Sequence, residues 1–334
     1  MVDAAGKVMV TGGAGYIGSH AVLALLDAGH EVVVVDNLVT GFDWAVDPRA
    51  VLVVANVADD AAVRGAIRDH RVHAIMHFAG SVVVPESVAD PLKYYRNNTA
   101  ATRSLIESAV AGGVPHFIFS STAATYGTPA RVPVQEGDPT IPINPYGMSK
   151  LMSEAMLRDV AAAHPINYAA LRYFNVAGAD PVGRSGQSTV GATHLIKIAV
   201  EAATGRRDAV SVFGTDFDTV DGTGVRDYIH VSDLAAAHVA ALELLVANPA
   251  DSHILNAGYG RGFSVNQVLD AVDRVTNRTI ERRYEGRRAG DPAELIADNR
   301  AILAALVWQP RRDDLDTIVT DALAWERTLA ERGR

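Results

Sequence analysis

A glycine-rich turn between a short apolar run and a helix-like segment constrains this chain more than any other feature. Residues 8–11 lead directly into Gly12, Gly15 and Gly18, which are spaced three apart. Gly12 permits a tight turn, Gly15 lets the backbone approach a pyrophosphate, and Gly18 allows close packing of the helix. The unpaired N–H groups and the dipole of that helix favour an anion. The turn therefore predicts a dinucleotide site.

Runs rich in valine alternate with helix-like stretches through the first half of the chain. The continuous valine run before Asp36 is typical of a strand buried on both faces. The predicted strands are Lys7–Thr11, Glu31–Asp36, Val51–Ala55, His73–Phe78, His116–Ser120 and Tyr168–Phe174. The predicted helices between them are Tyr16–Ala28, Asp59–Asp69, Pro91–Ala111 and Tyr146–Ala163. This alternation indicates an α/β fold with a doubly wound parallel sheet.

The pattern loosens after about Asn175, where glycines and short apolar runs mix with three further predicted helices. These helices are His194–Thr204, Val231–Val246 and Ser264–Thr276. We expect residues 1–175 to form a Rossmann-type nucleotide-binding part, to which residues 227–257 return. Residues 176–334 are expected to form a smaller α/β substrate-binding part that shares a cleft with it.

The overall charge and composition exclude several classes of partner. The chain has 30 basic and 39 acidic residues, a net charge of −9, which argues against binding to nucleic acid or to an anionic membrane. No apolar run approaches the roughly 20 residues needed to span a bilayer. The absence of cysteine and of a signal-peptide pattern favours a cytoplasmic protein.

An acidic residue closes the second predicted strand. Asp36 lies 18 residues after Gly18, where a carboxylate can accept hydrogen bonds from an adenosine ribose. It would repel a ribose 2′-phosphate, so the expected cofactor is NAD rather than NADP.

A tyrosine and a lysine stand four apart at the start of a predicted helix. Tyr146 and Lys150 therefore share one helix face. A nearby ammonium and an oxidised nicotinamide ring would favour the phenolate, which is a competent base. Upstream, Ser120 to Thr122 end a strand in three hydroxyls, and Thr122 could bind a substrate hydroxyl. Capping of the strand end is the alternative role for at least one of the three.

Seven segments, in order along nearly the whole chain, resemble those of UDP-glucose 4-epimerases, which belong to the extended short-chain dehydrogenases. They are TGGAGYIG, VVVVDNL, HFAG followed by ESV, FIFSSTAATYG, NPYGMSK, LRYFNVAGA and DGTGVRDYIHVSDLA. The resemblance implies tightly bound NAD, a UDP-hexose substrate and inversion at carbon 4 through a 4-keto sugar. Tyr146 would exchange the proton of the 4-hydroxyl, Lys150 would lower the Tyr146 pKa, and Thr122 would bind the sugar.

The same resemblance implies the remaining contacts. Those to the cofactor are Gly12, Gly15, Tyr16, Ile17, Gly18, Asp36, Asn37, Leu38, Asn56, Val57, Phe78, Ala79, Gly80, Tyr146, Lys150 and Tyr173. Those to the substrate are Thr122, Tyr146, Asn175, His194, Phe213, Arg226, Arg288, Asp291 and Leu295. Arginine forks at Arg226 and Arg288 suit a dianionic pyrophosphate in an acidic protein.

The chain departs from the family pattern at several positions. Asn56 replaces an acidic residue, and Val82 replaces a lysine. His194 replaces an asparagine that often holds the diphosphate, so it is either a diphosphate contact or a helix-start residue. Leu295 occupies a position where a tyrosine excludes N-acetylated sugars, and either widens the sugar pocket or packs in the core.

Three further expectations concern rival functions, assembly and metals. Ala123 and Ala124 stand where dehydratases carry acidic residues, which disfavours elimination of water. A UDP-glucuronate 4-epimerase and a non-catalytic NAD-binding regulator remain alternatives. The resemblance implies a homodimer formed through the predicted helices Pro91–Ala111 and Tyr146–Ala163. No metal is expected, because residues four apart on a strand, such as His73 and His77, lie about 13 Å from each other.

Overall fold

The computed structural model describes residues 6–288 and 290–333. The elements of its first half are β1 (Lys7–Thr11), α1 (Tyr16–Asp27), β2 (Val32–Asp36), β3 (Val51–Val54), α2 (Asp60–Asp69), β4 (Val72–His77), α3 (Val84–Ala89), α4 (Pro91–Tyr94), α5 (Ala101–Ala111), β5 (His116–Thr122), α6 (Pro145–Ala163) and β6 (Asn167–Tyr173). Those of its second half are β7 (Asn175–Ala177), α7 (Leu195–Ala203), β8 (Val210–Phe213), β9 (Val225–His230), α8 (Val231–Ala247), β10 (His253–Ala257), β11 (Gly262–Ser264), α9 (Val265–Thr276), β12 (Arg282–Glu285), β13 (Glu294–Leu295), α10 (Arg300–Ala305) and α11 (Leu315–Glu331).

Seven parallel strands form the central sheet, in the order β10–β6–β5–β4–β1–β2–β3. All five residues of β2 are buried, because helices cover both faces of the sheet. Val22 and Leu25 of α1 and Leu234 of α8 pack on one face. Leu105 of α5 and Leu157 of α6 pack on the other. The predicted α/β doubly wound fold is confirmed.

The six strands and four helices predicted in the first half are all present, with two differences. Strand β5 continues through Thr122, two residues beyond its predicted end. The helix predicted over Pro91–Ala111 is interrupted by a π-helical turn at Tyr95–Ala100. This turn carries the buried Asn98, whose amide bonds to the backbone N–H and carbonyl of Ser81.

The second half is built around β9, which pairs in parallel with β7 and β13 and antiparallel with β11. Strands β8 and β12 form a separate parallel pair. Helices α7, α9 and α11 enclose a further core that includes Val200, Val272 and Ile318. The strand β10 lies beside β6 in the central sheet, so the chain returns there after β9. Within residues 6–288 and 290–333, no helix is long and apolar enough to cross a membrane.

Candidate active site

The glycine-rich turn joins β1 to α1 with the geometry that its spacing predicts. Gly12 has a φ of +72°, and a Cβ there would lie 2.5 Å from the backbone N of Ala79. A Cβ at Gly18 would lie 2.1 Å from the Gly12 carbonyl oxygen. A Cβ at Gly15 would meet only that same oxygen, at 3.3 Å, so this glycine leaves room for a ligand. No side chain caps α1 and its first turn holds no acidic residue, which leaves its N–H groups to an anion.

Asp36 ends β2 directly beside this turn. Its buried carboxylate accepts hydrogen bonds from the backbone N–H of Ala14, at 3.0 Å, and of Leu38, at 2.8 Å. Leu38 has a φ of +57°, and the exposed Asn37 accepts a bond from Val39. The carboxylate thus fixes the turn and the following loop to each other, and keeps lone pairs for a further donor.

The other residues expected near a cofactor lie at the same edge of the sheet. Tyr16 and Ile17 form the first turn of α1, and the Tyr16 hydroxyl donates to the Gly178 carbonyl at 2.7 Å. Asn56 is exposed and accepts a hydrogen bond from the N–H of Ala58. The Val57 side chain packs in the core behind the sheet, so its backbone rather than its side chain faces this edge.

The segment after β4 lies against both the glycine-rich turn and the Lys150 side chain. The Phe78 N–H donates to Thr11, and Ala79 lies against Gly12. A Cβ at Gly80 would lie 3.8 Å from the Lys150 ammonium nitrogen and 2.9 Å from Asn98 Oδ1. Gly80 and Lys150, which are 70 residues apart in the sequence, therefore belong to one surface with the glycine-rich turn.

Tyr146 and Lys150 lie on the buried face of α6, whose first turn is capped by Asn144. The Lys150 ammonium donates to the Ser120 carbonyl at 2.9 Å and lies 5.0 Å from the centre of the Phe119 ring. The Tyr146 ring packs edge-on against Tyr94, with 6.4 Å between the ring centroids. Helix α6 thus holds both groups at the carboxyl end of β5.

Burial dominates the protonation of both groups. It lowers the pKa of Lys150 to about 8, and Glu154 acts in the opposite direction. Burial also raises the pKa of Tyr146, while the neighbouring Thr122 hydroxyl lowers it. The expected lowering of the Tyr146 pKa by Lys150 and an oxidised nicotinamide ring stays a prediction. A positively charged ring beside Tyr146 would act in the same direction as the Thr122 hydroxyl.

Each of the three hydroxyls that end β5 has a separate partner. Ser120 bonds to the Tyr173 hydroxyl, and Ser121 donates to Glu154. Thr122 accepts from the N–H of Ala124 at 3.1 Å and so caps a short 3₁₀ turn. The capping role considered for this motif is thus filled by Thr122, which also faces Tyr146.

Four of the residues expected at the nucleotide end of a substrate lie together. Arg288 stacks over the Phe213 ring, with 4.7 Å between the guanidinium carbon and the ring centre, and pairs with Asp291 at 2.9 Å. Arg226 is half-buried, and its guanidinium donates only to the carbonyls of Val225 and Ala293. No carboxylate among the described residues lies within salt-bridge distance of it. Burial lowers the pKa of Arg226 and the nearby Asp291 raises it, so a bound anion would stabilise its charged form further.

The remaining substrate candidates lie between this group and α6. Leu295 on β13 pairs with Arg226 of β9 and packs against a cluster that contains Ala123 and Phe174. Asn175 is the first residue of β7 and directly follows Phe174 of that cluster in the sequence. Leu295 is half-buried, so it belongs to the cluster's edge and to the cleft at once.

His194 occupies the position before α7 but its side chain does not cap that helix. Its Nδ1 lies 2.7 Å from the Gln187 side-chain nitrogen. Because an amide N–H donates to Nδ1, the neutral ring carries its proton on Nε2. That N–H could donate to a diphosphate, and the residue also stands at the start of α7, so both expected roles stay predictions.

Sequence reasoning missed two residues that organise the site. Asn98 joins the Gly80–Ser81 segment to α6, since its amide also donates to the Ser149 hydroxyl at 3.0 Å. Gln187 orients His194. Neither residue stands in a regular local pattern, and only the folded chain brings each to its partner.

Comparison with known proteins agrees with this geometry. The model of the NAD dependent epimerase/dehydratase family matches residues 8–258. A UDP-glucose 4-epimerase of Azospirillum brasilense is 52% identical over 325 residues, which cover 97% of this chain and 93% of the relative. The UDP-glucose 4-epimerase of Brucella ovis, solved in complex with NAD, is 44% identical with a TM-score of 0.92, over 96% of this chain and 98% of that one. The UDP-Glc/GlcNAc 4-epimerase of Campylobacter jejuni is 46% identical with a TM-score of 0.84, over 97% and 99%.

These relatives are similar to the chain over nearly its full length, and the solved ones share its fold. This chain belongs to the NAD dependent epimerase/dehydratase family.

Proposed function

We propose that the protein is an NAD-dependent isomerase that interconverts UDP-glucose and UDP-galactose through a transient 4-keto sugar. One observation carries the proposal. The buried Tyr146–Lys150 pair lies at the carboxyl edge of the sheet, next to the glycine-rich turn, and Leu295 on β13 links this edge to the unpaired Arg226. This arrangement supports a cofactor site, an acid–base pair and an anion site that serve one reaction.

The residues present fit NAD. The N–H groups at the start of α1 and the open side of Gly15 suit a pyrophosphate, and Asp36 suits a ribose with free hydroxyls. Phe78, Ala79, Gly80 and Tyr173 would line the nicotinamide half. When bound, NAD would supply a hydride acceptor whose oxidised ring is positively charged and, once reduced, a neutral hydride donor.

The chain's own groups would perform the proton chemistry. Tyr146 removes the proton from the substrate's 4-hydroxyl and later returns one to carbon 4's oxygen on the other face. Lys150, held by the Ser120 carbonyl, stabilises the phenolate while it is protonated. Thr122 orients the sugar hydroxyl with the part of its hydrogen-bonding capacity that the Ala124 N–H leaves free.

Arg226 and Arg288 would bind the diphosphate, with His194 as a further donor. Asp291 and the Phe213 ring would contact uridine, which places the sugar toward Tyr146. In this arrangement a 4-keto sugar held by its UDP moiety can turn and present its other face.

We propose further that the sugar pocket accepts an N-acetyl group. Leucine at position 295 has no ring or hydroxyl, and its half-buried side chain offers an apolar surface between Ala123 and Arg226. Burial of an acetyl methyl on such a surface contributes about 0.8 kcal/mol. The similarity to a relative described as acting on both UDP-Glc and UDP-GlcNAc supports this breadth.

A substrate panel with the purified protein tests the function. The protein is incubated separately with UDP-glucose, UDP-galactose, UDP-N-acetylglucosamine and UDP-glucuronate, and the products are separated by chromatography. Conversion of UDP-galactose to UDP-glucose is expected. Turnover of UDP-glucuronate alone would favour the glucuronate enzyme, and tight NAD binding without any turnover would favour a regulator.

We also propose that the protein is a cytoplasmic homodimer of galactose metabolism, with residues 1–175 and 227–257 as its NAD-binding part and the rest of 176–334 as its substrate-binding part. The helices next to the cleft carry exposed apolar side chains, including Val88, Leu92 and Met152. Such side chains suit a helix-pair contact between two copies. Light scattering on the wild type and on Leu92→Asp would measure the mass and its loss.

A further inference from the structure

A buried ion pair lies one helical turn beyond Lys150. Glu154 on α6 and Arg172 on β6 form two parallel hydrogen bonds, Nε to Oε1 at 2.9 Å and Nη2 to Oε2 at 2.6 Å. Their side chains are only 3% and 4% exposed. Neither residue is among those that the family resemblance assigns to cofactor or substrate.

The pair is connected to the catalytic group through two adjacent residues of β5. The Ser120 carbonyl accepts from Lys150, and the Ser121 hydroxyl donates to Glu154. Lys150 and Glu154 are thus fixed to the same strand, at the point where it ends in Thr122. A shift of α6 along β5 would break both contacts together.

The network continues away from the cleft. Arg172 donates to the Tyr126 hydroxyl at 3.0 Å, and that hydroxyl donates to Asn256 of β10 at 2.7 Å. A buried ion pair of this kind contributes no more stability than well-packed apolar side chains of the same volume. Its presence beside an acid–base pair therefore calls for a role other than stability.

We propose that Glu154 and Arg172 are positioning residues that hold Lys150 against β5 and set the charge around its ammonium. The proposal rests on the function proposed above in assigning Lys150 to catalysis. The Glu154 carboxylate raises the pKa of Lys150 against the effect of burial, and the guanidinium of Arg172, bonded to that carboxylate, partly offsets its charge.

Other groups around Lys150 do not supply this balance. From β4, His77 is neutral, since burial and Lys150 lower its pKa to about 3. From β6, Tyr173 is a phenol with its pKa raised by burial, and Tyr146 on α6 is likewise neutral. The neighbouring ring from β5 is Phe119. The charges of Glu154 and Arg172 thus act on Lys150 with opposite signs.

The test is a direct titration of Lys150. The chain has four lysines, so lysine labelled with carbon-13 at Cε gives few NMR signals, and Lys150→Met assigns the one of interest. In Glu154→Gln the pKa of Lys150 should fall by about one unit, because a neighbouring carboxylate favours the ammonium, and in Arg172→Met it should rise, because the cation that offsets that carboxylate is gone. The double variant should return close to the wild-type pKa.

A matched control distinguishes an electrostatic effect on Lys150 from a general loss of stability on breaking a buried ion pair. The Lys197–Glu326 pair is equally buried, with side chains 6% and 1% exposed, but lies between α7 and α11. Glu326→Gln should lower the melting temperature and leave the Lys150 titration unchanged. Shifts of the same sign in both single variants, or no shift in either, would overturn the proposal.

The titration does not depend on turnover, so it remains decisive even if no substrate of the panel reacts. If the panel does identify epimerase activity, the alkaline limb of kcat should move with the NMR pKa in each variant, while KM for the UDP-sugar stays within about twofold. A loss of kcat with an unmoved alkaline limb would count against the proposal.

Discussion

Replacing Arg226 with methionine separates binding from stability, because this half-buried side chain forms no ion pair with any residue that the structure describes. Among those residues, its guanidinium donates to two backbone carbonyls, at 2.8 and 3.4 Å. Burial lowers the pKa of Arg226, so folding places its charge in an unfavourable environment that a diphosphate would relieve. Methionine keeps much of the aliphatic length and removes the charge.

The expected loss follows from the number of free donors. A charge-assisted hydrogen bond contributes about 1.5–3 kcal/mol. Arg226 can offer a diphosphate such a bond without giving up a carboxylate, so about 3 kcal/mol, or roughly 150-fold in UDP affinity, should be lost. Arg288 is 47% exposed in its side chain and already pairs with Asp291. Arg288→Met should therefore cost about 1.5 kcal/mol, or roughly tenfold.

Calorimetric titration with UDP measures both losses, and thermal denaturation follows stability. Without ligand, Arg226→Met should melt no lower than the wild type, whereas the rise in melting temperature on adding UDP should nearly disappear. Arg283→Met, at an exposed position on β12, controls for the loss of one positive charge. Equal losses at Arg226 and Arg288, or a marked destabilisation of ligand-free Arg226→Met, would refute the reasoning.

Three further outcomes are expected. Tyr146→Phe should retain NAD and UDP binding and lose about 10²–10⁴-fold in kcat, since it removes only the acid–base hydroxyl, and a rate above half that of the wild type would contradict its role. The cofactor-free protein should bind NAD much more tightly than NADP because Asp36 faces the ribose position, and similar affinities in a fluorescence titration would exclude this. Leu295→Tyr should lower kcat/KM for UDP-N-acetylglucosamine relative to UDP-glucose, and an unchanged ratio would show that Leu295 is no gate.

Local sequence patterns were sufficient to predict the central sheet and the glycine-rich turn. The valine run of β2, the spacing of Gly12 and Gly18 and the carboxylate of Asp36 each act within a few residues, and the structure contains all of them. Tyr146 and Lys150 could be placed on one face of α6 because helix geometry alone decides that.

Long-range contacts could not be predicted in the same way. The pairing of β13 with β9, which brings Leu295 beside Arg226, joins residues 69 apart through only two residue pairs. Tertiary packing also creates the bond between Gln187 and His194 and the Glu154–Arg172 pair. No regular spacing in the sequence predicts either contact. The burial that raises the pKa of Tyr146 also depends on tertiary packing, so the sequence could not predict it.

The π-helical turn at Tyr95–Ala100 joins α4 to α5. In this segment the number of residues matters as much as their identity, because both decide which side chains reach the cleft. Tyr94 before the turn bonds to Val83, Asn98 within it bonds to Ser81, and Thr102 after it bonds to His77 at 2.8 Å. A π-turn holds one residue more than an α-turn, so deleting one residue would close it to a regular α-helical turn and change which side chain points at Ser81. Substitutions here can be accommodated one at a time, but a single-codon deletion would detach one of these anchors from the cleft, and natural variants should differ in this segment by replacement rather than by loss.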